Sequence, residues 1–194
     1  MAGIKQPIVD VLTKLRTLSV TNGDGSIATP HVRIWNNNLQ SMKHGESCMF
    51  PLPAMFVEVL NDQVYQTIGQ EFRATDLTFR VHILHEFYDA QDGTFEQDLI
   101  VYDLRDKAIA MLTYFEPTAC GPLEALTETQ DYDHDNIYHY MIDFVCHFID
   151  SKGSRIDPDS TYYTEKQPPT DLQLNKLIED GGGQLATQKF TINK

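Results

Sequence analysis

The chain has 194 residues, a hydrophobic fraction of 41% and a formal net charge of −13. This length suits one domain with an appendage, and the apolar fraction suffices for a single packed core. Residues 1–150 hold 22 acidic and 9 basic residues while 151–194 hold 6 of each, so the negative excess belongs to the body, which should repel phosphate-rich partners.

The first predicted element is a helix. Pro7 suits its first turn, where a missing N–H costs nothing. Ile8, Val11, Leu12, Leu15 and Leu18 recur at helical spacing and make one apolar stripe. The run TNGDGSIATP, from Thr21 to Pro30, ends it. VRIW is a candidate short strand, and NNNLQSMKHGES reads as loop. From Phe50 to Leu60, FPLPAMFVEVL reads as a strand entered through two prolines, so pairing is expected to begin near Ala54. Asn61-Asp62 and Gly69 punctuate the connection that follows, giving a hairpin with an extended polar tip.

Glu71 to Tyr88 alternates. Leu77, Phe79, Val81, Ile83 and Phe87 fall on one face; Asp76, Thr78, Arg80, His82 and Glu86 fall on the other. The pattern describes a sheet with one dry and one wet side. After the turn DAQDGT, Thr94-Phe95-Glu96-Gln97 matches a capping box. Val101, Leu104, Ala108, Met111, Leu112 and Phe115 then keep helical spacing, for a helix of about 20 residues, or ~30 Å, that Pro117 stops. GPLEALTETQ is a candidate strand and DYDHDN an acidic turn. Ile137–Asp150 alternates again, with Tyr138, Tyr140, Ile142, Phe144, Cys146 and Phe148 on one side and His139, Asp143 and His147 on the other.

Beyond Asp150 the composition changes. Residues 151–194 contain eight Leu, Ile, Val or Phe, below the ~20% a packed core needs. Leu172, Leu174, Leu177 and Ile178 make two helical turns, too few to stand alone. The expected architecture is therefore an α+β domain over 1–150: a mainly antiparallel sheet of about four strands with two helices packed on one face. An extended C-terminal arm, 151–194, is flexible or ordered on a neighbouring subunit.

Candidate chemistry is sparse. His139, Asp143 and His147 are spaced by four, but four residues of strand span about 13 Å, whereas zinc holds its ligands at ~2 Å. Without help from another strand, no two of them share an ion. His82 and His85 point to opposite faces. Asp131–Asp135 alternates acidic groups, yet Asn136 and Ile142 stand where a calcium loop needs glycine and glutamate. There is no G-x-S-x-G, P-loop or G-x-G-x-x-G, and Gly181–Gly183 reads as linker. Trp35 reads as a core or interface anchor. Cys48, Cys120 and Cys146 are odd in number and lack C-x-x-C spacing, which argues for a reducing compartment; Cys146 reads as a small buried hydrophobe. The start of the chain does not read as a signal peptide, and no transmembrane helix is expected. The expectation is a protein without catalytic, cofactor or metal residues.

Three segments carry a family resemblance. Phe50-Pro51-Leu52-Pro53-Ala54-Met55-Phe56-Val57-Glu58 forms a proline-led strand. Leu77–Phe87, Asp92-Gly93 and the helix from Phe95 form a long strand turning into a helix. Asp133–Asn136 and Tyr138–Phe148 form an aromatic-rich strand after an aspartate-rich turn. With the N-terminal helix, this order over residues 4–150 resembles the tail terminator (tail completion, or minor tail) proteins of long-tailed bacteriophages. The chain departs from them by a longer insertion at 20–50 and by the arm.

The resemblance implies a structural virion protein and not an enzyme. It would form a homo-oligomeric ring, typically a hexamer, at the head-proximal end of the tail tube, after assembly in the host cytoplasm. The implied partners are other copies of the chain, the tail tube protein and head connector or neck proteins. DNA passes through without specific binding, no membrane is involved, and no cofactor is implied. A closed ring of identical subunits needs two different complementary patches on each. The hairpin at 58–72 and the arm are the candidates, with Glu58, Asn61, Tyr65, Phe72, Arg80, His82, Leu174, Leu177 and Ile178 as interface residues. The alternatives are a head–tail connector, neck or baseplate-associated protein of the same fold or, from another class, a small metal-dependent enzyme using the His-rich sheet face.

Overall fold

A computed structural model describes residues 3–21, 25–39, 49–60, 64–68, 72–86, 99–133, 137–154 and 157–160. Helix α1, Lys5–Leu15, buries Pro7, Val11, Leu12 and Leu15; of the stripe read from the sequence, Ile8 is half-buried and Leu18 is buried beyond the helix end. Two short strands, β1 (Val20–Thr21) and β2 (Ile27–Ala28), pair antiparallel after it. The main sheet then takes β3 (His31–Ile34), β4 (Ala54–Val59), β5 (Gln66–Ile68), β6 (Phe72–Glu86), β7 (Glu124–Asp131) and β8 (Ile137–Asp150). Its order is β3-β4-β6-β8-β7, with β5 also paired to β6. Helix α2, Ile100–Leu112, connects β6 to β7 in the chain.

The α+β expectation stands, with a larger sheet than the four strands read from the sequence. VRIW and GPLEALTETQ both supply edge strands, and Gln66–Ile68 folds onto the start of β6. Five neighbouring pairs run antiparallel or parallel as their connections allow: β3 lies parallel to β4, while β4, β5 and β8 run antiparallel to β6 and β7 antiparallel to β8. Pairing of β4 starts at Ala54, opposite Leu84, as the prolines before it require.

One face of the sheet is the core. Met55, Val57, Leu77, Phe79, Val81, Ile83, Ile142, Phe144, Cys146 and Phe148 meet Val11, Leu12 and Leu15 of α1 and Val101, Leu104, Ala108 and Leu112 of α2 in one buried cluster. Both helices therefore lie on the same side, as the period-2 pattern of β6 and β8 demands.

Helix α2 is shorter than its apolar spacing suggests. Its proposed capping residues, Thr94 and Gln97, fall outside the described residues, as does Phe87. At the other end the helix stops at Leu112, well before Pro117. Thr113 is already extended, at φ −61° and ψ 126°, and Tyr114 turns left-handed at φ 62°. The Tyr114 N–H donates to Leu123 O at 2.8 Å and the Leu123 N–H to Phe115 O at 2.9 Å. Pairing with the segment ahead of β7 thus replaces the last helical turn, and Phe115 reaches the core from a turn.

The second face departs most from expectation. It is wet only in part. Leu39, Ala54, Phe56, Leu84 and Ile137 form a second buried cluster there, with Trp35, Phe50 and Leu52 packed against it. The segments that flank residues 40–48 thereby fold over the β3-β4-β6 end of the sheet and dry it.

Past β8 the chain turns back on itself. The buried Asp157 carboxylate accepts from the Gly153 N–H at 2.8 Å, and Lys152 Nζ donates to Asp157 at 3.2 Å. Gly153 sits at φ 73°, a conformation that favours glycine. Arg73 ties this turn to the sheet, donating to Asp150 at 2.7 Å and to Lys152 O at 3.1 Å. Residues 161–194 lie outside the described residues.

Candidate functional site on the second sheet face

Because β4, β6, β8 and β7 are neighbours, side chains far apart in sequence meet on this face. Leu84 is opposite His139 and His82 is opposite Met141, so His82 and His139 form a diagonal pair. His82 Nδ1 lies 2.9 Å from His139 Nε2. At one end His82 Nε2 is 3.1 Å from Glu58 Oε2 of β4. At the other, His139 Nδ1 is 3.0 Å from Asp131 Oδ2 of β7. A carboxylate–imidazole–imidazole–carboxylate chain therefore crosses four strands.

Trp35 covers this chain. Its ring lies 3.9 Å from that of His82 at an interplanar angle of 8°, and 5.7 Å from that of His139 at 23°. Both imidazoles are buried. Burial first, then the charges of His139 and Arg80, push the His82 pKa down to about 3, against a smaller opposing effect of Asp143.

One step along β6, Arg80 grips Asp143 of β8 through two bonds, Nε to Oδ1 at 2.7 Å and Nη2 to Oδ2 at 2.9 Å. Thr127 of β7 donates to the same carboxylate at 3.0 Å. The Arg80 hydrogen bonds outweigh burial and hold the Asp143 carboxyl below its usual range. Two-pronged guanidinium–carboxylate pairing of this kind fixes orientation as well as energy. At the core-face edge, Arg105 of α2 and Tyr140 both bind Glu128 of β7, and the Arg105 bonds hold that carboxyl low as well.

The expected interface residues are thereby sorted. His82 is 3% exposed and lies beneath the ring of Trp35, not on the surface where an interface residue was expected. Arg80 keeps a third of its side chain exposed while fastened to Asp143. Glu58 is partly exposed and is held by His82. Tyr65 is exposed, with the Arg73 guanidinium 5.1 Å over its ring, and Phe72 is half-buried. Asn61, Leu174, Leu177 and Ile178 lie outside the described residues.

The separation argument against shared chemistry holds along one strand, where His147 pairs with Asp76 away from His139. Across strands, as that reading allowed, the register brings His139 of β8 to His82 of β6 and to Asp131 of β7. No sequence spacing marks that pair; only the β6–β8 register does. Among the described residues, no group of three or more His, Cys, Asp or Glu is placed to hold a metal ion, and no helix is long and apolar enough to cross a membrane. Cys120 and Cys146 are free thiols, and Cys146 is buried in the core cluster. No protein-family model matches this chain, and no match is found among curated proteins.

Proposed function

We propose that this chain is a structural virion protein of tail terminator type, a subunit of a ring at the head-proximal end of a phage tail that ends tube growth and meets the head connector. The observation that carries the reading is a sheet with two open and unlike edges. Among the described residues, no strand pairs with the outer side of β3 or of β7. The β3 edge presents His31 and Arg33, with Ile34 58% exposed. The β7 edge presents Glu124, Glu128 and Asp131, with Leu126 62% exposed where a bulge between Ala125 and Thr127 breaks the register.

Free edges template strand addition. A head-to-tail ring needs two different patches that complement one another, and the β3 and β7 edges differ in sequence and in exposed apolar residue. The acidic body supports the same reading, since a ring that DNA crosses must not hold it.

The test is the mass and shape of the full chain in solution and on grids, alone and mixed with a tail tube protein. Closed rings support the reading, and Leu126→Lys at the β7 edge is expected to abolish them. A species that stays monomeric under both conditions overturns it.

A further inference from the structure

We infer that the His82–His139 pair is a buried binding site for a single proton, held on His139 and shared with His82, and that this proton fastens Trp35 to the sheet. The inference follows from counting hydrogens and does not depend on the virion reading. The chain from Glu58 to Asp131 has three gaps, of 3.1, 2.9 and 3.0 Å. Each is a hydrogen-bond length and needs one hydrogen. Two neutral imidazoles carry one N–H each.

With both N–H groups donated outward to the carboxylates, His82 Nδ1 and His139 Nε2 would face each other as bare lone pairs at 2.9 Å. Turning either N–H inward would leave a bare nitrogen against Glu58 or Asp131. A third hydrogen closes all three gaps, and one imidazolium supplies it.

The surroundings say which ring holds it. Among the described residues, Glu58 of β4, Arg80 and His82 of β6, Asp131 of β7 and His139 and Asp143 of β8 are ionisable groups that face the pair, and Trp35 closes the top. Arg80 opposes a charge on His82, and burial resists a second charge beside the first. Asp131 touches His139 directly. His139 thus donates from both nitrogens, to Asp131 and to His82 Nδ1, while neutral His82 donates to Glu58. The indole face over both rings favours the cation beneath it. Loss of the proton sets the two inner lone pairs against each other and loosens the stack under Trp35.

Trp35 is the single tryptophan of the chain and stacks on both rings, so its fluorescence reads the surroundings of this pair. The experiment records long-range ¹H–¹⁵N spectra of the histidines in the full chain from pH 5 to 9, with His139→Gln for assignment, beside Trp35 fluorescence. The expected result at pH 7.5 is His139 protonated on both nitrogens and His82 protonated on Nε2 alone. The His139 midpoint is therefore expected above pH 7.5, beyond the ~6.5 of an exposed imidazole, matched by a fluorescence change, and Asp131→Asn is expected to lower that midpoint by about one pH unit. The unsubstituted chain decides the matter if either variant fails to fold. Two singly protonated rings at pH 7.5, or a His139 midpoint at or below ~6.5 with flat Trp35 fluorescence, overturns the inference.

Discussion

Phe79 and Arg80 are neighbours on β6, yet they are held by opposite means. Phe79 is fully buried in the core cluster, among side chains that ask only for volume. Arg80 faces the other way and is held by one carboxylate at two points. The two faces of one strand pair thus teach a general difference. Apolar contact is spread over many neighbours and degrades by degrees. A polar pair is specific, and removing one member strips the other, already desolvated, of its main partner.

The sharpest way to break the comparison is at the core. Phe79→Ala is expected to lower stability by about 3–5 kcal/mol in urea unfolding, and a loss under about 1 kcal/mol would show that this face is not packed as described. Arg80→Met should cost less, about 1–3 kcal/mol, because Asp143 keeps the Thr127 hydroxyl. Adding Asp143→Leu to that variant is expected to restore part of the loss, and a double-mutant cycle measures how much.

Acid should separate the groups by pH window. The His82 pKa falls from 6.5 unfolded to about 3 folded, so below 6.5 the unfolded chain binds the extra proton. Stability is then lost as pH falls from 6.5 towards 3, by at most about 1.4 kcal/mol per pH unit. Asp143 is also held low, but its contribution is present above 3.8 and is lost only as pH falls through its folded value. His82→Gln is therefore expected to flatten thermal stability between pH 6.5 and 4 and to leave the acid limb in place. The smallest effect is expected at the β7 edge. Leu126→Lys should change monomer stability by no more than about 0.5 kcal/mol, read by the same urea curves, while removing self-association.

The core face was legible in the sequence because period and burial coincide there. Val11, Leu12 and Leu15 of α1 and Leu77, Phe79, Val81 and Ile83 of β6 all fall in the buried cluster. The second face was not legible, for a physical reason. Its dryness comes from Trp35, Leu39, Phe50 and Leu52 in segments with no regular period, and a strand pattern records polarity but not what folds over it. His82 and Leu84 sit side by side on that face, one polar and one apolar, both buried. The meeting of His82 with His139 depends on register, which composition does not carry. The end of α2 was misjudged because Phe115 keeps helical spacing while Tyr114 donates to Leu123 O and Phe115 O accepts from the Leu123 N–H, the bonds that end the helix.

The central ladder also has a consequence in time. His82 and His139 are 57 residues apart in the chain, Arg80 and Asp143 63, and Arg73 and Asp150 77. Ends so distant must be brought together before any of these bonds repays the lost chain entropy. The β4–β6 hairpin and the two helices close shorter loops, so the pairs that join β6 to β8 are expected to form after them. Weakening Arg80–Asp143 should therefore speed unfolding and leave the folding rate almost unchanged. Those pairs act as a latch on the finished fold: they set how long it lasts more than how quickly it is made.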